Sequence, residues 1–118
     1  MSSPLDPSDA PDALIDAAEF ARRRGILPEM VPELVAQRRL FSLDRDGRTL
    51  YPAFFADPTG DIRRLEAVCR HLGALPGGSK WQFFVTPKAS LSGRTPLAAL
   101  RDGDMPTVNV AADGFRER

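Results

Sequence analysis

Very little in this chain is suited to covalent or metal chemistry. It has one cysteine, Cys69, and one histidine, His71, in 118 residues. A single cysteine excludes an internal disulfide, and one cysteine with one histidine excludes a Cys/His zinc cage. No apolar run approaches the ~18 residues that a membrane-spanning helix needs. Charge of one sign is not in excess either: 16 basic residues balance 16 acidic ones. That argues against a strongly basic nucleic-acid glove and against a polybasic membrane anchor. The N-terminal stretch lacks both a basic n-region and an apolar h-region, so it does not read as a signal peptide. The expectation is a soluble, cytoplasmic chain with no membrane partner.

What is present is ordinary globular material, 42% hydrophobic and 27% charged. The length suits one domain with its own core. Charge is unevenly placed. Residues 1–19 carry five acids and no base, whereas residues 62–118 carry nine bases and five acids. Pro4, Pro7 and Pro11 interrupt a Ser/Asp-rich leader with little apolar surface, so residues 1–11 read as a flexible tail.

Capping residues, prolines and glycines divide the remainder. Asp12 can cap a helix over 13–24, with Leu14, Ala17, Ala18 and Ala21 inward and Gly25 as the stop. Pro28 and Pro32 each suit a first helical turn, which predicts an irregular turn and then a helix over 32–39. Two short apolar runs, 40–43 and 49–51, flank Asp46 and Gly47, the signal of a β-hairpin. Pro52 ends the second strand or confines it to an edge. Ile62, Leu65, Val68, Cys69 and Leu72 form a helical stripe over 62–72, closed by Gly73 and opened by Asp61. Ser79 can cap a short helix through Trp81, Phe84 and Val85, for which a strand is the rival reading. Thr95 and Pro96 open a helix over 96–101, with Gly103 just beyond it. Asp104 can cap a last helix whose face is Val108, Ala111, Ala112 and Phe115. The fold class is therefore mainly α, a small helical bundle with one short β-hairpin. It divides into the tail 1–11, a helix–helix–hairpin unit over 12–55 and a helical unit over 57–118.

Candidate chemistry is sparse. Cys69 and His71 are two residues apart on a helix, so they point about 200° apart and cannot form a nucleophile–base pair. Cys69 lies on the apolar stripe and reads as core; His71 reads as a surface or helix-end residue. The carboxylate pairs Asp44/Asp46 and Asp102/Asp104 sit in Gly-containing turns, where Asp serves turn and cap geometry. Gly77, Gly78, Ser79 and Lys80 look like a scrap of a phosphate loop, but the first glycine is missing and the serine precedes the lysine. The expectation is a protein that is not an enzyme and carries no cofactor or metal. Two short helices followed by a two-stranded wing are also the plan of a small winged-helix DNA reader. Arg38 and Arg39 after the second helix, with Arg45 and Arg48 on the wing, are then candidates for phosphate contact. Glu29 and Glu33 at the leading end of that helix oppose the phosphate field.

One longer pattern runs over 81–103, with Trp81, Phe84, Pro87, Leu91, Gly93, Pro96, Leu97, Leu100 and Gly103 in order. Upstream stand Gly47, Leu50, Tyr51, Pro52, Ala53 and Phe54. Together these resemble the toxin-binding domain of bacterial Xre/MbcA/ParS-type antitoxins, over about residues 40–118. The resemblance implies a mostly helical, dimeric antitoxin that binds and occludes a RES-domain toxin acting on NAD, in many members while repressing its own operon. The N-terminal part is shorter than a full helix-turn-helix of that family and is closer to an excisionase-like wing. The apolar positions of 93–118 are needed for packing. That leaves Arg94, Arg101, Asp102, Asp104, Asp113, Arg116, Glu117 and Arg118 as the expected toxin-facing groups. The alternative is a small winged-helix regulator that binds promoter DNA, its helical half serving only to dimerise.

Overall fold

The computed structural model describes residues 13–57 and 62–117. The expected tail 1–11, the Asp12 and Asp61 caps and Arg118 lie outside them. The chain is mainly helical, with a small three-stranded antiparallel sheet.

Residues 13–15 do not begin a helix. Leu14–Ile15 is a strand, β1, and helix α1 starts later, as Ala17–Arg24. Asp16 is its N-cap, its carboxylate accepting the Glu19 N–H at 2.8 Å. Asp16 is one turn beyond Asp12, and capping there frees residues 13–15 to pair with a distant strand. The inward residues of α1 are accordingly Phe20 and Ala21, while Ala18 is exposed. Gly25 closes α1 in the left-handed region at φ 74°.

A 3-10 turn, Pro28–Met30, leads into α2, Val31–Ala36, which ends three residues before the expected Arg39. Arg38 takes φ 58° and terminates the helical path there. The hairpin pairs β2, Leu43–Arg45, with β3, Arg48–Pro52. The register sets Leu43 opposite Leu50 and Arg45 opposite Arg48. Asp46 and Gly47 alone form the turn, at φ 53° and 77°, the geometry that matches strand twist. β1 adds to the other side of β3, giving the order β1-β3-β2. Pro52 is thus the last residue of a central strand and does not mark an edge. A 3-10 turn, Ala53–Phe55, follows, all three residues buried.

The second half contains α3 (Ile62–Leu72), α4 (Gly77–Val85), a 3-10 turn at Ala89–Leu91, α5 (Pro96–Arg101) and α6 (Met105–Arg116). The 81–85 stretch is helical, and Pro76, not Ser79, holds the N-cap position of α4. Thr95 caps α5 by accepting the Ala98 N–H at 3.1 Å.

One continuous core unites the halves. At its centre Phe84 touches the rings of Phe41, Phe54, Phe55 and Phe83 at centroid distances of 5.2–6.0 Å. The Phe41 ring is stacked on Phe84 and the other three are tilted or edge-on, arrangements that add to the stabilisation from buried area. Trp81 lies at its margin: it is half-buried, with the Arg45 guanidinium 5.3 Å from its ring. Phe83 takes the interior place instead.

Candidate functional site

The arginines expected to meet DNA fall into different environments. Arg38 and Arg48 are exposed. Arg45 lies over Trp81, so its cation faces an aromatic ring while its edge remains open to solvent. Arg39 is drawn inward: its Nε donates to Glu66 Oε2 at 3.2 Å and its Nη1 to Gln37 Oε1 at 3.2 Å. Glu29 and Glu33 are both exposed at the leading end of α2, which makes that end acidic.

Glu66 is the polar joint of the molecule. It lies on the inner side of α3 and is 8% exposed. Arg24 from α1 donates to its other oxygen at 3.2 Å and also to the Phe55 carbonyl at 2.9 Å. A carboxylate so buried needs both partners, because a lone charge in this place would be strongly unfavourable. Cys69, one turn along α3, is buried as expected, and burial pushes its thiol above the ordinary range. A thiol held protonated in this way is a packing group, not a nucleophile.

The residues expected to face a toxin form two clusters, both partly engaged within the chain. Arg94 donates from Nε to the Leu91 carbonyl at 2.9 Å, from Nη1 to Asp102 at 3.2 Å and from Nη2 to Asp104 at 2.9 Å. It therefore clamps the turn before α5 to the joint between α5 and α6. The Thr107 hydroxyl and Arg94 together hold the Asp104 carboxyl below its ordinary range. In the second cluster, His71 Nδ1 lies 2.9 Å from Asp113, which joins α3 to α6, and Arg116 stands 3.8 Å from the same carboxylate. His71 is thus part of a helix–helix contact, a role that its place at the end of α3 did not reveal. Arg101 and Glu117 are exposed.

An apolar surface beside α6 had no signal in the sequence. Val110 is 72% exposed. It borders a shallow groove of about 420 Å³ with Thr107, Ala111, Gly114 and Phe115. Lys88 lies on the groove's rim, its ammonium 5.0 Å from the Phe115 ring centre. Val110 was missed because it falls outside the Val108, Ala112 stripe and is simply the apolar residue of the outer face.

No protein family, no curated protein and no solved structure matches this chain. Among the described residues no helix is long and apolar enough to cross a membrane, and no group of three His, Cys, Asp or Glu side chains is placed to hold a metal ion.

Proposed function

We propose that this chain is a non-catalytic binding protein of antitoxin type, whose helical half presents a surface to a RES-type toxin. The observation that carries the reading is the use made of the residues shared with that antitoxin pattern. Gly93 and Gly103 take φ 81° and 84°, Pro96 opens α5, and Leu91, Leu97 and Leu100 are buried. All of these serve backbone geometry or packing, as they would in a scaffold that presents a surface. The surface itself is then Arg101, Glu117 and the Val110 groove. Arg94, Asp102, Asp104, Asp113 and Arg116 frame it through their internal contacts.

Co-expression with the product of an adjacent RES-type reading frame tests the proposal. Tagged chain should retain the toxin on purification and restore growth. Val110→Asp and Arg101→Glu should weaken both effects while leaving the circular dichroism spectrum unchanged. A toxin that is neutralised equally by the double variant places the interface elsewhere. Deleting α6 is a poor probe, because it would strip Val108 and Ala112 from the core.

A second reading, a promoter-binding regulator that dimerises through its helical half, is favoured by the order β1-β3-β2 around α1 and α2, with Arg38 and Arg48 exposed. Binding to the chain's own promoter fragment should weaken with salt by about 0.9 log units per log unit for each phosphate contacted. Arg38→Ala with Arg48→Ala should flatten that slope. No binding at low salt would remove this reading and leave the first intact.

A further inference from the structure

Among the described residues three large apolar side chains lie open to solvent, and two of them stand in one turn. Leu27 is 63% exposed and Met30 42%. The Met30 N–H donates to the Leu27 carbonyl at 2.9 Å, which closes the 3-10 turn Pro28–Met30. Positions three apart lie over one another in such a turn, so the two side chains are neighbours. They have no place inside. Val31 and Leu34 fill the inner side of α2, and Ile26 and Val35 pack on the core, but Leu27 and Met30 do not. Pro28 opens the turn and Pro32 stands in the first turn of α2, so the backbone that carries the pair is stiff. An apolar pair held this way adds little to the fold and costs little ordering when a partner covers it.

The charges beside the pair are of one sign. Glu29 lies within the turn and Glu33 within α2, and both are exposed. The path from Pro28 to Ala36 is helical throughout, which sets Glu33 beside Met30 at i, i+3 and beside Glu29 at i, i+4. Among the described residues neither glutamate makes an ion pair, whereas Glu19, Glu66, Asp102 and Asp104 each meet an arginine. The bases that end α1 are already engaged: Arg22 and Arg23 by Glu19, Arg24 by Glu66. We propose that Leu27 and Met30, bordered by Glu29 and Glu33, form a docking surface for a basic amphipathic helix of another protein. The apolar stripe of that helix covers the pair, and its lysines or arginines meet the two carboxylates. Nucleic acid and anionic membrane surfaces carry the wrong charge for this face. The Val110 groove takes no part in it, so the inference does not depend on the toxin reading.

The test uses the full chain, isotope-labelled, and a synthetic helix of leucine and lysine at amphipathic spacing. Amide shifts should concentrate on residues 27–36, and binding followed by anisotropy should saturate and weaken with salt. Leu27→Ser with Met30→Ser should weaken it about tenfold, and Glu29→Gln with Glu33→Gln about fivefold. Val110→Ser should leave it unchanged. All five positions are exposed, so the circular dichroism of each variant should match the parent's. The same helix with glutamate in place of lysine should not bind. No binding, shifts centred elsewhere, or equal affinity for the parent and both double variants overturns the proposal. Equal binding of the glutamate helix does so too, since it removes the role of charge. Neutral phospholipid vesicles that retain the parent but not the Leu27, Met30 variant assign the pair to a lipid surface and overturn the protein partner.

Discussion

Arg39 donates to Glu66 across 27 residues of chain and so ties the segment that follows α2 to the middle of α3. Arg24 meets the same carboxylate from 42 residues away. Its side chain is 13% exposed, so it has little access to water if its partner is lost. Glu66→Ala should cost about 3 kcal/mol in urea unfolding, mostly through stranding Arg24. A loss below about 1 kcal/mol would mean that the two arginines find solvent easily and that the joint is ornamental.

The aromatic centre gives a graded expectation. Phe84→Ala removes a fully buried ring touching four others and should cost about 3–5 kcal/mol. Trp81→Ala removes a half-buried ring at the margin and should cost clearly less, by about 1 kcal/mol or more. Equal losses in chemical denaturation would mean that Trp81 carries as much of the core as Phe84.

Neighbouring glycines should respond in opposite ways. A Cβ on Gly77 would lie 1.8 Å from the Ser42 carbonyl oxygen, whereas one on Gly78 meets nothing within 4 Å. Gly77→Ala must push apart the 40–43 segment and α4, and should cost about 1–3 kcal/mol. Gly78→Ala sits in a helical turn with room to spare and should be neutral or stabilising by up to about 1 kcal/mol. Paired thermal melts read the difference directly; matching losses would contradict the close approach at Ser42.

Acid should loosen α1 in a defined range. Hydrogen bonds from Arg22 and Arg23 hold the Glu19 carboxyl down to about 2, against an ordinary 4.5. A carboxyl whose folded value is depressed contributes stability above its unfolded value and loses it as pH falls through the folded one. The Glu19 contribution is therefore complete above 4.5 and disappears between there and about 2. Asp104, lowered by Thr107 and Arg94, has the same sign and adds its loss below 3.8. Carbon-detected titration of Glu19 should show a midpoint near 2 at low salt. Glu19→Gln should flatten the dependence of Tm on pH in this range. A Glu19 midpoint near 4.5 would show that the arginine fork does not persist in solution.

Elements with local punctuation were legible in the sequence. The spacing and glycine around α3, and the Thr95–Pro96 opening of α5, predict 62–72 and 96–101, the bounds observed. β1 was not legible, because its two residues become a strand only by pairing with β3, and Leu14 and Ile15 serve equally well on a helix. The same distance effect hid the buried place of Glu66, whose partners come from α1 and from beyond α2. The candidate surface was half legible. Composition shows which side chains are charged, but not that Arg94 is tied to Asp102 and Asp104 or that Arg39 turns inward. Phe83 and Trp81 differ in sequence position by two, and only the packing of α4 decides which enters the core.

The ring of Phe84 is surrounded by Phe41, Phe54 and Phe55 from the other half of the chain, and this bears on how such a protein can be inherited and dissected. Two units that share their most buried side chains cannot be exchanged one at a time. A different segment grafted before residue 57 would have to bring its own matching aromatics. Residues 57–118 expressed alone would expose the cavity where those rings had been. The two halves, sharing one aromatic centre, are bound to change together.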